Sequence, residues 1–344
     1  MLHRATGTVN SAKDLDSSLQ EIVTEFGPAL NFVDLTGRVV PESRVVLNRT
    51  AATLGLGTGG YDFVMAVLGA DAAPPAFDGH IIKARYTPVQ HAVLTLEEQP
   101  VYKDVWDRTL DGFPVIVGQI HSQLAPITAA LAQSAARVAY IMSDAAALPI
   151  GLSRLVRALK AAGWLAWTIT AGQAFGADYE TVTVASALIA ARYILQCDVA
   201  VVIQGPGNAG TGTKYGFGGL EQAAHLNTAS ALGGAPIAAV RMSRADGRPR
   251  HQGISHHSRT ALDATLAPCA VPIPTGTAFT GLAERHYLRE MDGAAEVVAH
   301  MASSGIAVTT MGRGPSQDPL FFESAAAAGL YAASLVRERR EMVR

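Results

Sequence analysis

Six short runs between residues 114 and 311 are apolar at almost every position, and stretches of helical length lie among them. The runs read PVIVGQ (114–119), RVAYIM (137–142), WLAWTIT (164–170), DVAVVIQ (198–204), PIAAVRM (236–242) and GIAVTTM (305–311). Helical patterns fall near 122–134, 148–162, 178–195, 219–233, 293–304 and 322–341. Among them, GLSRLVRALKAAG spaces its apolar residues at i, i+3 and i+4 and closes on Gly163. A strand apolar on both faces cannot leave either face in water. The alternation therefore predicts an α/β fold, a mostly parallel sheet with helices on both faces.

The first hundred residues have another texture. GTVNSA, LQEIVTEF, ALNFVDL, SRVVLN, FVMAVL, HIIKARYT and HAVLTLEE are short β-type runs, punctuated by Gly, Pro, Asn and Asp. Their spacing suits an antiparallel sheet or small barrel. We expect a small β-rich, barrel-like domain over 1–108, followed by the α/β domain over 109–344. In LGLGTGGYDFV (54–64), Gly55, Gly57, Gly59 and Gly60 suggest close backbone approach to a second domain or subunit.

With 344 residues, 49% apolar and 16% charged, the chain is able to bury a large core and is too apolar for disorder. A formal charge of −2, with no basic run interleaved with aromatics, argues against a nucleic-acid partner. The RERREMVR tail reads as a solvated helix end. Cys197 and Cys269 form no CxxC and read as small core residues. No secretory leader or membrane-length apolar run stands out, so the reading is cytoplasmic with no membrane partner. Ala, Gly and Arg usage fits a GC-rich bacterial genome, and a homodimer is the commonest assembly for such a protein.

In open α/β sheets ligands sit beyond the carboxyl ends of the strands. The residues following the six runs include His121 and Ser122, then Ser143 and Asp144, then Gln173, Asp178 and Glu180. Next come the glycine loop, Ser243, Arg244 and Asp246, and finally Arg313, Ser316, Gln317 and Asp318. RPRHQGISHHSRTALD adds His251, Ser255, His256, His257, Ser258 and Arg259. Such a concentration predicts a ligand site on this edge, with Asp144 and one of His121, His256 or His257 for acid–base work. Ser258 reads as the N-cap of the helix that follows, and Asp178 and Glu180 as acids of a first helical turn. None of Ser122, Ser143 or Ser255 sits in a GxSxG elbow. No HExxH, HxH or DxD spacing marks a metal, so metal and cofactor stay open.

Residues 205–219, GPGNAGTGTKYGFGG, hold seven glycines in fifteen positions. A phosphate-binding P-loop beginning at Gly207 needs lysine after Gly212, where Thr213 stands, and Tyr215 follows Lys214 in place of a hydroxyl for magnesium. The dinucleotide fingerprint fails too. The helical pattern starts only near Leu220, and the next strand end carries no acidic residue at its expected place. What is left is a wide glycine cradle offering backbone amides to an anion: Gly205, Gly207, Asn208, Gly210, Thr211, Gly212, Thr213 and Lys214, with Ser143, Arg244 and Arg313 on the same edge.

LGLGTGGYDFV (54–64), HSQLAP (121–126), GPGNAGTGTKYGFGGLEQA (205–223), PRHQGISHHSRTALD (249–263) and TMGRGPSQDP (310–319) together resemble the bacterial DUF3866 family. That resemblance brings no established reaction, catalytic residue or cofactor. The polar loops point instead to a small-molecule enzyme, a transferase or hydrolase acting on a phosphate- or carboxylate-bearing ligand. The alternative is a non-catalytic ligand sensor or assembly protein.

Overall fold

Every one of the seven β-type runs near the N-terminus forms a strand. These are β1 (Arg4–Asp14), β2 (Leu19–Thr24), β3 (Gly27–Phe32), β4 (Arg44–Asn48), β5 (Asp62–Val67), β6 (Ile81–Lys83) and β7 (His91–Val93). The first five close into a barrel of order β1-β2-β3-β5-β4, and β6 pairs with β7. Alternation aims Val45 and Leu47 of β4 inward, where they pack with Val9, Ile22, Ala29 and Val64. Two single-turn helices, α1 (Val33–Thr36) and α2 (Thr50–Thr53), join barrel strands.

The glycines after α2 lie in turns of the first unit. A Cβ at Gly55, Gly57 or Gly60 would meet nothing within 4 Å, while Gly55, Gly59 and Gly60 all have positive φ. At Gly55, Gly59 and Gly60 turn geometry is what requires glycine.

The computed structural model describes residues 2–57, 59–69 and 78–342, and its chain divides into Met1–Leu94 and Thr95–Arg344. The expected boundary near 108 falls inside the second unit. Residues 95–98 belong there because Thr95 bridges Glu180 and the Glu97 carboxylate accepts from the Val182 amide.

The second unit is built on β8 (Pro114–Val117), β9 (Val138–Met142), β10 (Trp167–Thr170), β11 (Tyr179–Glu180), β12 (Val199–Val202) and β13 (Ala235–Ala238). A short antiparallel pair follows, β14 (Met242–Ser243) with β15 (Gly253–Ile254), and then β16 (Ala270–Pro274) and β17 (Tyr287–Met291). Eight of these strands form one sheet of order β11-β10-β9-β12-β8-β13-β16-β17, and all its pairings are parallel.

Its helices are α3 (Leu124–Ala132), α4 (Arg154–Ala161), α5 (Val184–Ile189), α6 (Glu221–Ala231), α7 (His256–Ala264), α8 (Ala294–Ser303) and α9 (Pro319–Met342). One face of the sheet packs Tyr140, Val201 and Ile116 against α3, α4, α8 and α9. The other packs Ile141, Val202 and Val117 against α5, α6 and α7. An α/β fold with a barrel before it is thus what the chain adopts.

Three expectations are corrected. GIAVTTM is not a strand: Gly305 takes φ +79, and 306–309 run irregularly. The fifth helix begins at Val184 rather than near 178, because the Asp178 carboxylate accepts from the Thr168 amide and hydroxyl and ties the chain to β10. Glu180 accordingly lies in β11.

α9 alone among the described helices is long and apolar enough to cross a membrane, and 67% of its apolar window is buried in the unit.

Candidate functional site

β8 leads into α3 on one face of the sheet, and its neighbour β12 leads into α6 on the other. The connections diverge there, so a crevice opens beyond the carboxyl ends of these two strands. A cleft of about 520 Å³ occupies this place. Ile120, His121 and Ser122 wall it after β8, and Pro206, Gly207, Asn208, Gly210 and Gly212 after β12. Arg241, Arg248, Arg250, His257 and residues 307–311 also line it.

Four fully buried glutamines hold the strand ends in place. Gln123 accepts the Gln119 and Ile120 amides and donates to the Ala239 and Val240 carbonyls. Gln204 donates to Gln119 O, and Gln222 to Val117 O and Ala239 O. Gln119 in turn donates to His257 O and accepts from Ser258 Oγ. Side-chain amides thus satisfy carbonyls at the strand ends, among them Gln119 O and Ala239 O, and tie the two sides of the crevice together.

Within this frame His121 is buried, and desolvation lowers its pKa from 6.5 to about 4. Its Nδ1 lies 3.3 Å from Gln204 O, and its Nε2 2.6 Å from Ser153 Oγ. An Nδ1–H donated to that carbonyl leaves the Nε2 lone pair to the serine hydroxyl. Ser153 also caps α4 by accepting the Val156 amide.

Between β14 and β15 the chain loops around Asp246. Its carboxylate takes Arg241 Nη2 at 2.8 Å, Arg248 Nε and Nη2 at 2.9 Å, and Arg313 Nη2 at 3.3 Å. The hydrogen bond from Arg248 is the largest of the causes that hold this carboxyl well below the usual range. Burial lowers Arg241 to about 10. Arg250 has no carboxylate partner among the described residues, and its Nε reaches His251 Nε2 at 3.5 Å.

α7 starts here, capped by Ser255, which accepts the His257 amide; Ser258 is buried in the first turn and is not the cap. His257 stacks on Phe217 with ring centres 3.8 Å apart and 8° between planes. Desolvation is the main cause that lowers His251 to about 3 and His257 to about 4.

A family model described as "Protein of unknown function (DUF3866)" matches residues 28–329. The chain belongs to the DUF3866 family. No curated protein and no solved structure matches it.

Of the residues expected on this edge, the DUF3866 chain brings His121, Gly207, Asn208, Gly210, Gly212 and His257 to the cleft wall. Gly205 is buried, where a Cβ would come within 2.6 Å of the Ala147 carbonyl. His256 packs between His251 and His257, 5.0 and 4.2 Å away by ring centres.

The others lie outside the lining. Asp144 is exposed and accepts the Gln173 amide, and Ser143 donates to Glu221 at 2.5 Å. Thr211 and Thr213 bond each other on a tongue closed by Gly210 against Phe217, which leaves Lys214 exposed over the Tyr215 ring. Arg244 is exposed, and Arg313 bridges Asp246 and Asp318.

The sequence reading missed Arg241, Arg248 and Arg250 and the four glutamines. Their signal was the density of Arg and His in RMSRADGRPRHQG, and the Gln that recurs just after an apolar run.

Proposed function

We propose that this DUF3866 protein is a small-molecule enzyme of transferase or hydrolase type, binding a phosphate- or carboxylate-bearing ligand in the cleft. Arg250 carries the reading. Its guanidinium lies against the glycine loop, where a Cβ at Gly212 would come within 3.2 Å of Nη1, and no carboxylate pairs with it among the described residues. Arg241, Arg248 and Arg313 share Asp246, and Arg313 also pairs with Asp318, so with Arg250 four guanidiniums face two carboxylates and the balance stays positive. A guanidinium fork suits a phosphate or carboxylate better than a neutral ligand.

Two hydroxyls of the lining support the same reading. Ser122 Oγ and Thr310 Oγ1 are buried without a hydrogen-bond partner, which is costly unless a ligand or water meets them. In this reading His121 carries protons. It is neutral at neutral pH, and a bound anion beside it raises its pKa toward the working range of a general base.

Calorimetric titration with inorganic phosphate and, separately, acetate tests the proposal. Saturable binding is expected, weakened at least about tenfold in Arg250→Ala, the size of one lost charge-assisted hydrogen bond. No saturable binding of either anion, or equal affinity in the variant, would overturn it.

A further inference from the structure

His251, His256 and His257 surround one point at the side of the cleft. Each offers a ring nitrogen, and these nitrogens all lie within 4.8 Å of one another. We infer that the three imidazoles bind a divalent transition metal ion of the zinc class and leave an open coordination position. Three imidazoles with one position unfilled is the ligand count of catalytic zinc sites rather than structural ones.

Local structure prepares each ring. Ser255 caps α7 and also meets His251 Nδ1 at 2.7 Å. Arg250 Nε–H points at His251 Nε2, so the proton of this ring sits on Nδ1, donated to the serine, and the Nε2 lone pair is free of hydrogen. That is the tautomer a metal needs, fixed by an outer-shell partner in the usual manner. His256 Nε2 is buried without a partner. His257 lines the cleft, and its stack on Phe217 sets the plane of the ring. Ring centres 4.2, 4.9 and 5.0 Å apart put the three imidazoles side by side, and side-chain rotation brings the donors to bonds of about 2.0–2.1 Å.

The neighbouring guanidiniums oppose a bare cation, and Asp246 offsets them only in part. The metal therefore recruits an anion as its further ligand, and occupancy of His251 Nε2 releases Arg250 from its long contact to hold the same anion. Only this last step rests on the anionic-ligand reading; the metal site stands on the imidazoles.

The test uses the full chain stripped with chelator, titrated calorimetrically with Zn²⁺ alone and spectroscopically with Co²⁺. One equivalent is expected to bind, with visible absorption typical of low-coordinate Co²⁺. His251→Ala and His256→Ala should each weaken binding at least about tenfold, and Ser255→Ala about 10–100-fold through loss of ring orientation. Should buried His251→Ala fail to fold, His256→Gln, which alters a half-buried ring, decides between the outcomes.

Absence of Zn²⁺ binding, or affinity unchanged in His256→Gln, overturns the inference. Phosphate binding by the metal-free protein separates the two readings. If phosphate binds and Zn²⁺ does not, this inference alone falls. If Zn²⁺ binds and neither phosphate nor acetate does, with or without the metal, the anionic-ligand reading falls.

Discussion

His121, the proposed proton carrier, also makes the stability of the fold depend on pH. Burial holds its pKa near 4 in the folded protein against 6.5 when unfolded. The unfolded chain therefore binds more protons between these values, and stability falls as pH drops through that window. The loss amounts to about 3 kcal/mol once pH is below the folded value. Urea denaturation should show the midpoint declining from pH 7 to pH 5, and His121→Gln should flatten that decline. An unchanged slope in the variant would mean that His121 titrates normally.

Its position was legible because polar residues at strand ends follow from sheet geometry, whereas His257 stood out only in the His-rich segment RPRHQGISHHSRTALD. Asp144 and Lys214 satisfy the same rule yet are used elsewhere, since a sequence does not reveal which way a loop side chain turns. Arg250 escaped for the converse reason. It enters the cleft from the β14–β15 loop, which the run PIAAVRM disguises as one continuous strand.

Among the elements, α9 shows how a long apolar helix becomes a core component. Gly329 lets it lie directly on α3: a Cβ there would come within 2.5 Å of Ile127 O and 2.7 Å of Ala130 Cβ. Gly329→Ala gains about 1 kcal/mol of helix propensity. Overpacking costs about 1–3 kcal/mol, and here the obstacle is backbone, which gives least. Net destabilisation by up to about 2 kcal/mol is expected in chemical denaturation. A variant as stable as the parent would show that α3 shifts freely.

β16 and β17 were unreadable for related reasons of context. Pro272 and Pro274 lack the N–H a strand donates, and registered pairing of β16 with β13 is confined to Ile237 and Ala270. β17 lies at the sheet edge with Arg289 and Glu290 exposed, so its run is not apolar. GIAVTTM is the opposite case. Its apolar residues line the cleft and pack beneath it rather than entering the sheet.

At the scale of the whole molecule, the features proposed for function lie in one unit. Each residue of the two large clusters flanking the eight-stranded sheet comes from Thr95–Arg344, as does the entire lining of the cleft. A unit of about 250 residues is large enough to bury a self-sufficient core. Residues 95–344 expressed alone should therefore unfold cooperatively and bind phosphate and Zn²⁺ with the affinities of the full chain, within about threefold. The barrel has a core of its own, built on Val9, Ile22, Val45, Leu47 and Val64. Calorimetry on the truncated protein checks this. Native-like unfolding with lost binding would assign the barrel a part in ligand capture, whereas an aggregated product would show that the larger unit needs the barrel to fold.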